Sequence, residues 1–237
     1  PMNRTITESY CITLEVKVHP SDLPEIDRRT ECARQVYNTC LGQCQKRWRQ
    51  IRSIPEWRSA LKALQALNRK AELSSEEKSR RKALRQQLKA IEQAHGFSEY
   101  ALHAHALTIN RHFGSPLGVN EMQKAATFAW RAFERCRFGN ARKVRFKRRG
   151  DPVIIENKSN ATGLRLKDDK ALWGSRHART LEFPLIVKRG DACAQQTFLD
   201  KTKFIRFLEK TIRGERRFFI QAVKEGTPPP KKRQYGE

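Results

Sequence analysis

A chain of 237 residues with 49 Lys and Arg against 25 Asp and Glu carries a formal charge of +24, and 38% of its residues are apolar. Trp48, Trp57, Trp130, Trp173 and twelve Phe supply enough bulk to fill the core of one or two domains, which excludes wholesale disorder. No apolar run approaches the roughly 18–20 residues of a membrane span and Pro1–Tyr10 lacks a signal peptide's hydrophobic stretch, so a soluble cytoplasmic protein is expected.

Tyr10–Val18 reads as a strand, because Ile12, Leu14, Val16 and Val18 alternate with Thr13, Glu15 and Lys17. His19-Pro20-Ser21-Asp22 breaks it, with Ser21 or Asp22 placed to cap the next helix. From about Glu25 to Ile51 the period changes: Ala33, Tyr37, Leu41, Cys44, Trp48 and Ile51 recur every three or four residues, the stripe of a long helix. After Pro55 a second helix runs from Trp57 through Leu61, Leu64 and Leu67. Ser74–Glu77 has the form of a capping box, and the helix behind it carries Leu84, Leu88 and Ile91 on one stripe with Arg80, Arg81, Lys82, Arg85 and Lys89 around it. The pair reads as an antiparallel helical hairpin that ends at Gly96. Two more helices are expected over Ser98–His112 and Gly118–Arg137, the latter burying Val119, Met122, Ala126, Trp130 and Phe133 and stopping at Gly139.

Beyond Gly139 the helical period disappears. Val144–Lys147, Val153–Glu156, Leu164–Lys167, Leu181–Val187, Lys203–Glu209 and Arg217–Lys224 read as strands, punctuated by Gly150, Gly163, Gly174, Gly190 and Gly214. Leu199–Thr211 is read as strand in preference to a short helix, and Arg213-Gly214-Glu215-Arg216 as a hairpin turn. The Pro-Lys-rich stretch 226–237 is expected to be an extended linker. One early strand, about 120 helical residues and some six later strands imply an α+β protein: a β-barrel interrupted by helices, the first strand pairing with the later ones.

Cysteine and histidine point to little chemistry. Cys11, Cys32, Cys40, Cys44, Cys136 and Cys193 form no C-x-x-C pair; Cys40 and Cys44 share a helix face, and the simplest role for both is as small buried hydrophobes. No metal ligands are expected. His103 and His105, two apart on a helix, do not face each other.

A surplus of +24 attracts polyanions, and nucleic acid is the expected one, since each neutralised phosphate releases a counterion. No lipidation signal accompanies the charge, so a membrane partner is not expected. The densest basic stretch is Arg131–Gly150: Arg131, Arg135, Arg137, Arg142, Lys143, Arg145, Lys147, Arg148 and Arg149 face one acid, Glu134. Read as a strand, Val144–Lys147 sends Arg145 and Lys147 to one side and Val144 and Phe146 to the other, a cationic rail suited to phosphates. The plain alternative is a solvated charge run. On the helix Gly118–Arg137, Asn120, Gln123 and Lys124 are candidates for contact with base edges; Asn120 is equally an N-cap and Gln123 a solvated helix residue. No catalytic site is read: G-x-S-x-G, H-E-x-x-H and a P-loop are all missing, and Asp168-Asp169 reads as a turn.

The opening strand, Arg34-Gln35-Val36-Tyr37-Asn38, the helix Gln123–Phe133, the run Arg145-Phe146-Lys147-Arg148-Arg149-Gly150 and the stretch Arg216–Gly226 followed by Pro and Lys resemble, in this order, the N-terminal half of the transposon-encoded TnpB proteins and the compact type V CRISPR effectors. The resemblance implies an oligonucleotide-binding-like β-barrel, the wedge domain, made of residues 1–20 and 140–225, interrupted by a helical recognition domain over 21–139, with 226–237 leading towards a nuclease domain. It implies a guide RNA and target double-stranded DNA as partners, with base pairing reading the target and protein reading backbone shape and a flanking DNA motif, in a prokaryotic, nucleoid-associated setting. By position Arg145, Lys147, Arg148 and Arg149 match the family's basic run, and Tyr37 and Asn38 its helix motif. The family's RuvC-like nuclease, with its Asp, Glu, Asp set, Mg and a four-Cys zinc ribbon, comes after the last wedge strand, so neither cofactor is expected within these residues. A separate nuclease half or a second copy is then a further partner. The rival expectation is a structural RNA-binding protein with no DNA partner.

Overall fold

The computed structural model describes residues 7–187 and 191–228. The chain is α+β and forms two compact units. One draws on the chain up to Val36, on Leu107–Ala125 and on everything from Lys147; the other on Tyr37–Ala106 and Ala126–Phe146.

The first unit is built on a seven-stranded antiparallel sheet: β1 (Ser9–Val16), β2 (Ile155–Glu156), β3 (Leu164–Lys167), β4 (Lys170–Ser175), β5 (Ala178–Ile186), β6 (Thr202–Ile212) and β7 (Glu215–Glu225), in the order β2-β6-β7-β1-β5-β4-β3. β1 is central. It pairs with β7 from Ser9↔Glu225 to Val16↔Phe218 and with β5 at Glu15↔Ile186 and Val16↔Leu185, so a strand isolated in sequence closes the sheet formed by the chain's other end. β3, at one edge, packs near β6, the strand next to β2 at the other edge, which makes the sheet a curled half-barrel. Period-two burial explains the curl's filling: Phe218, Ile220 and Ala222 of β7 and Ile205 and Phe207 of β6 all point inward. Phe207 packs 5.1 Å from Trp173, 5.3 Å from Phe183 and 5.7 Å from Phe218, ring centre to ring centre.

Lys224 continues that inward face, and its ammonium is accommodated because Nζ donates to the Asp200 carbonyl at 3.0 Å; burial holds its pKa down. Tyr10 Oη donates to the carboxylate of the same residue at 2.5 Å. The turns form where the glycines and polar residues place them. Asp168 (φ 51°) turns β3 into β4, and consecutive left-handed residues Arg213 (φ 54°) and Gly214 (φ 83°) join β6 to β7, the geometry that suits sheet twist.

Helices α1 (Leu23–Ser53), α4 (Glu99–His112) and α5 (Val119–Arg137) each lend residues to both units; α2 (Pro55–Asn68) and α3 (Ser75–Ala94) lie in the second, and α6 (Ala192–Leu199) in the first. Pro55 ends α1 and starts α2, where its missing N–H costs nothing. The capping box at α3 forms: Glu77 N donates to Ser74 Oγ at 3.2 Å and Ser74 N to Glu77 Oε2 at 3.1 Å. Trp57, Ala60, Leu64 and Leu67 of α2 are buried, and α2 packs on α3, whose buried residue is Leu88. The second unit's core is aromatic: Trp48 meets Trp57, Phe97 and Phe133 at 5.1, 5.5 and 6.2 Å, and Phe97 meets Trp130 at 4.9 Å. Cys40 and Cys44 are buried beside it; burial pushes both thiols up to about 12, so they pack as inert hydrophobes.

Three expectations are corrected. Val144–Lys147 is not a strand: no ladder partner reaches it, and four alternating residues cannot hold a strand without one. β4 occupies a stretch that Gly174 marks as a break, yet Trp173 sits on it, fully buried; Gly174 stands at a bulge where an added Cβ would collide with the Thr180 side chain. α6 occupies a stretch with no helical period in its residues, capped by the Asp191 carboxylate, which accepts from Ala194 N at 3.0 Å. Of the linker expected over 226–237, residues 229–237 lie outside the described residues, as does the start of the chain before residue 7.

Candidate nucleic-acid interface

In the first unit a buried polar network fixes the start of α5. Glu121, in its first turn, is buried and accepts from Gly118 N (2.9 Å), Leu164 N (2.8 Å) and Trp173 Nε1 (3.2 Å), joining the helix to β3 and β4. Arg29 of α1, also buried, lies 4.9 Å over the Trp173 indole and donates to the Trp173 and Arg179 carbonyls at 2.7 and 2.6 Å. α5 begins at Val119 after Gly118, so Asn120 stands inside the first turn and is not the N-cap.

The neighbouring candidates are engaged within the protein. Gln123 Oε1 accepts from Lys158 Nζ. Lys124 reaches the buried Glu156 at 2.6 Å and lies 5.6 Å over the Phe204 ring, while Arg206 meets the other oxygen of Glu156 at 2.5 Å. Two cations therefore neutralise one buried carboxylate, and a base edge recruited to Lys124 would have to break that set.

Also in this unit, a cleft of about 1240 Å³ is lined by Arg34, Arg149, Lys210 and Arg216 but equally by Asp27, Glu31, Asp151 and Glu209. Arg216 is held by Asp27 and Glu209 at 2.5 and 2.6 Å, and Arg34 by Glu31 at 2.6 Å, which keeps the Glu31 carboxyl below its usual range. Cations and acids are equal in number along this cleft, and two of its four cations are paired with its own acids. Arg148 and Arg149 are exposed at its approach, where Arg148 N donates to Asp151 at 2.6 Å.

The rail expected at Arg145 and Lys147 separates instead of aligning. Arg145 is exposed and its carbonyl accepts from Tyr37 Oη at 3.2 Å. Lys147 is half-buried, donates from Nζ to the Pro152 carbonyl at 2.5 Å, and burial lowers its pKa; its own carbonyl accepts from Arg34 at 2.8 Å. Phe146, expected to turn inward, is 47% exposed. Without a ladder to impose a period of two, Ala141, Val144 and Lys147 turn in every third residue. Thermal unfolding of single variants distinguishes them: Arg145→Ala is expected to leave stability within about 0.5 kcal/mol, whereas Lys147→Ala loses about 1 kcal/mol with its hydrogen bond and packing. Equal effects would contradict this division.

The second unit carries most of the uncommitted charge. It contains twenty Lys and Arg but seven Glu and no Asp. On α3, Lys78, Lys82, Arg85 and Lys89 are spaced four, three and four apart, so they share one face, and all four are exposed. None has a side-chain hydrogen bond or ion pair among the described residues. The stripe spans about 16 Å, over which one strand of a duplex carries about five phosphates. Its spacing is visible in the sequence, where the apolar stripe of the hairpin draws the eye first. Arg131 and Arg135, one turn apart on α5, are likewise exposed, as are Arg142 and Lys143 in the loop after it. Arg137 differs: its guanidinium grips Glu92 (2.5 Å) and lies 4.3 Å over Trp48, so it serves the core.

Among the described residues no group of three His, Cys, Asp or Glu is placed to hold a metal ion, and no helix is long and apolar enough to cross a membrane. No protein-family model matches the chain, and no curated protein matches it.

Proposed function

We propose that this chain binds structured RNA through the exposed cations of its helical unit and acts as the guide-RNA-binding and target-DNA-recognition lobe of an RNA-guided, TnpB-like effector. In this reading the curled sheet is an oligonucleotide-binding-like wedge barrel and the helices between β1 and β2 are the recognition domain. The observation that carries it is the unpaired stripe Lys78, Lys82, Arg85 and Lys89, backed by Arg131, Arg135, Arg142, Lys143 and Arg145, in a unit with almost three bases per acid. Buried or paired cations cannot serve a phosphate without breaking their own bonds; these can, and each releases a counterion on contact. The guide-RNA part rests on the resemblance of the short motifs in chain order. The charge alone equally suits a structural RNA-binding protein without a DNA partner.

The test is a salt titration of binding to a hairpin RNA, then a retention assay. Affinity is expected to fall with a log–log slope steeper than about −4, of which the four stripe cations account for about 3 to 4 on duplex. A flat response overturns RNA binding altogether. If RNA recovered with the chain retains a DNA duplex matched to it, the guide reading stands; if RNA binds and matched DNA is never retained, the structural alternative replaces it.

A further inference from the structure

We infer that Phe138 is a stacking platform for an unpaired RNA base, with Arg135, Arg142 and Lys143 beside it to hold the phosphates of that nucleotide and its neighbours. The inference rests on the RNA-binding reading and adds to it a site for unpaired nucleotides.

Phe138 sits just past the last turn of α5 with 64% of its surface exposed. A single exposed apolar ring is ordinary on a protein surface. This one is held from beneath. The Arg137 guanidinium lies 5.2 Å from its ring centre, and the same guanidinium lies 4.3 Å over Trp48 and 5.4 Å over Phe97. Glu92 grips that guanidinium with both oxygens, at 2.5 and 3.3 Å, and one of them also accepts from Trp57 Nε1 at 3.4 Å. The aromatic core is thereby extended through a fixed cation to a ring at the surface, so Phe138 is oriented before any ligand arrives.

The backbone around it is folded back as well. Phe138 N donates to Glu134 O at 2.9 Å, Gly139 adopts φ 79°, and Ala141 N returns to Arg135 O at 3.0 Å. That closure brings Arg142 and Lys143 back to the turn that carries Arg135, and all three are exposed with no side-chain hydrogen bond or ion pair among the described residues. An exposed ring with cations around it matches what an unpaired nucleotide offers: a flat π-face that stacks whatever its identity, and a phosphate within a few ångströms of it. A base inside a duplex has no free face. An apolar protein surface as partner would leave the surrounding cations desolvated and unpaired. Single-stranded loops and bulges are also where RNA exposes bases to aromatic and Arg planes.

The test uses the full chain with two probes of equal charge, a twelve-nucleotide oligouridylate and the same ribose–phosphate strand without bases. The wild-type chain is expected to bind the oligouridylate more tightly. Phe138→Ala is expected to weaken that binding about tenfold, within the range for loss of one stacked base, and to leave the abasic strand and the salt slope unchanged. Phe138→Trp restores the preference. Equal weakening on both probes, or none, overturns the platform while leaving RNA binding intact. If the wild-type chain binds neither probe nor hairpin RNA, the underlying RNA-binding reading fails with it.

Discussion

Glu121→Ala is expected to destabilise the protein by about 3–5 kcal/mol, since three buried donors lose their acceptor at about 1–3 kcal/mol each, partly offset by relaxation. Alanine leaves the N–H groups of Gly118 and Leu164 and the Trp173 indole without their acceptor, in a place that alanine's small side chain does not open to water. The site is also shaped around the carboxylate. Gly163 (φ 68°) passes so close that an added Cβ would stand 2.6 Å from Glu121 Oε1. At about 2–4 °C per kcal/mol for a chain of this size, melting should fall by about 10 °C. Thermal or urea unfolding measures this, and a loss below about 1 kcal/mol would show that the network contributes little.

The same residue predicts a pH dependence. Burial pushes the Glu121 carboxyl above its ordinary range, against the pull of its three donors, so the native state binds its proton more tightly than the unfolded chain does. Stability from this group is therefore full below the unfolded carboxyl's range and declines as pH rises through the native value. Other carboxylates titrate alike in wild type and Glu121→Gln and cancel in the comparison. The wild type's margin over Glu121→Gln should be widest at acid pH and narrow towards neutrality; a constant margin would mean that the carboxyl keeps its ordinary pKa.

The second large effect is on binding. Replacing Lys78, Lys82, Arg85 and Lys89 together by Gln is expected to weaken hairpin RNA binding on the order of a thousandfold at 0.1 M salt, since each phosphate contact is worth roughly eightfold there. The log–log salt slope should become shallower by about 3 to 4. Folding should barely respond, because the four side chains are exposed on α3 and none makes a hydrogen bond or ion pair among the described residues. An unchanged slope with unchanged affinity would mark the stripe as solvated surface and leave the α5 cations as the remaining candidates.

Much of the architecture is legible in the residues because local rules and tertiary environment agree there. The capping box at Ser74, the proline between α1 and α2, and the Arg213-Gly214 turn are local, and each forms where its residues predict it. The parity of Phe218, Ile220 and Ala222 already names the inner face of β7. Where sequence and structure part, a partner far away in the chain decides. Val144–Lys147 has a strand's alternation but no ladder, and β4 has a ladder although Gly174 breaks its pattern.

The same division runs through the candidate site. The +24 surplus, the α+β order of elements and the faces on which cations stand are all readable from the residues alone, since composition and periodicity are properties of the chain. Which cations remain available is settled by folding. Lys124, Arg206 and Arg216 look in the sequence like Arg135 or Lys82, yet they close on Glu156, Glu209 and Asp27 from as far as 189 residues away. An ion pair forms within 3 or 4 Å, a distance that folding sets and that spacing along the chain does not record.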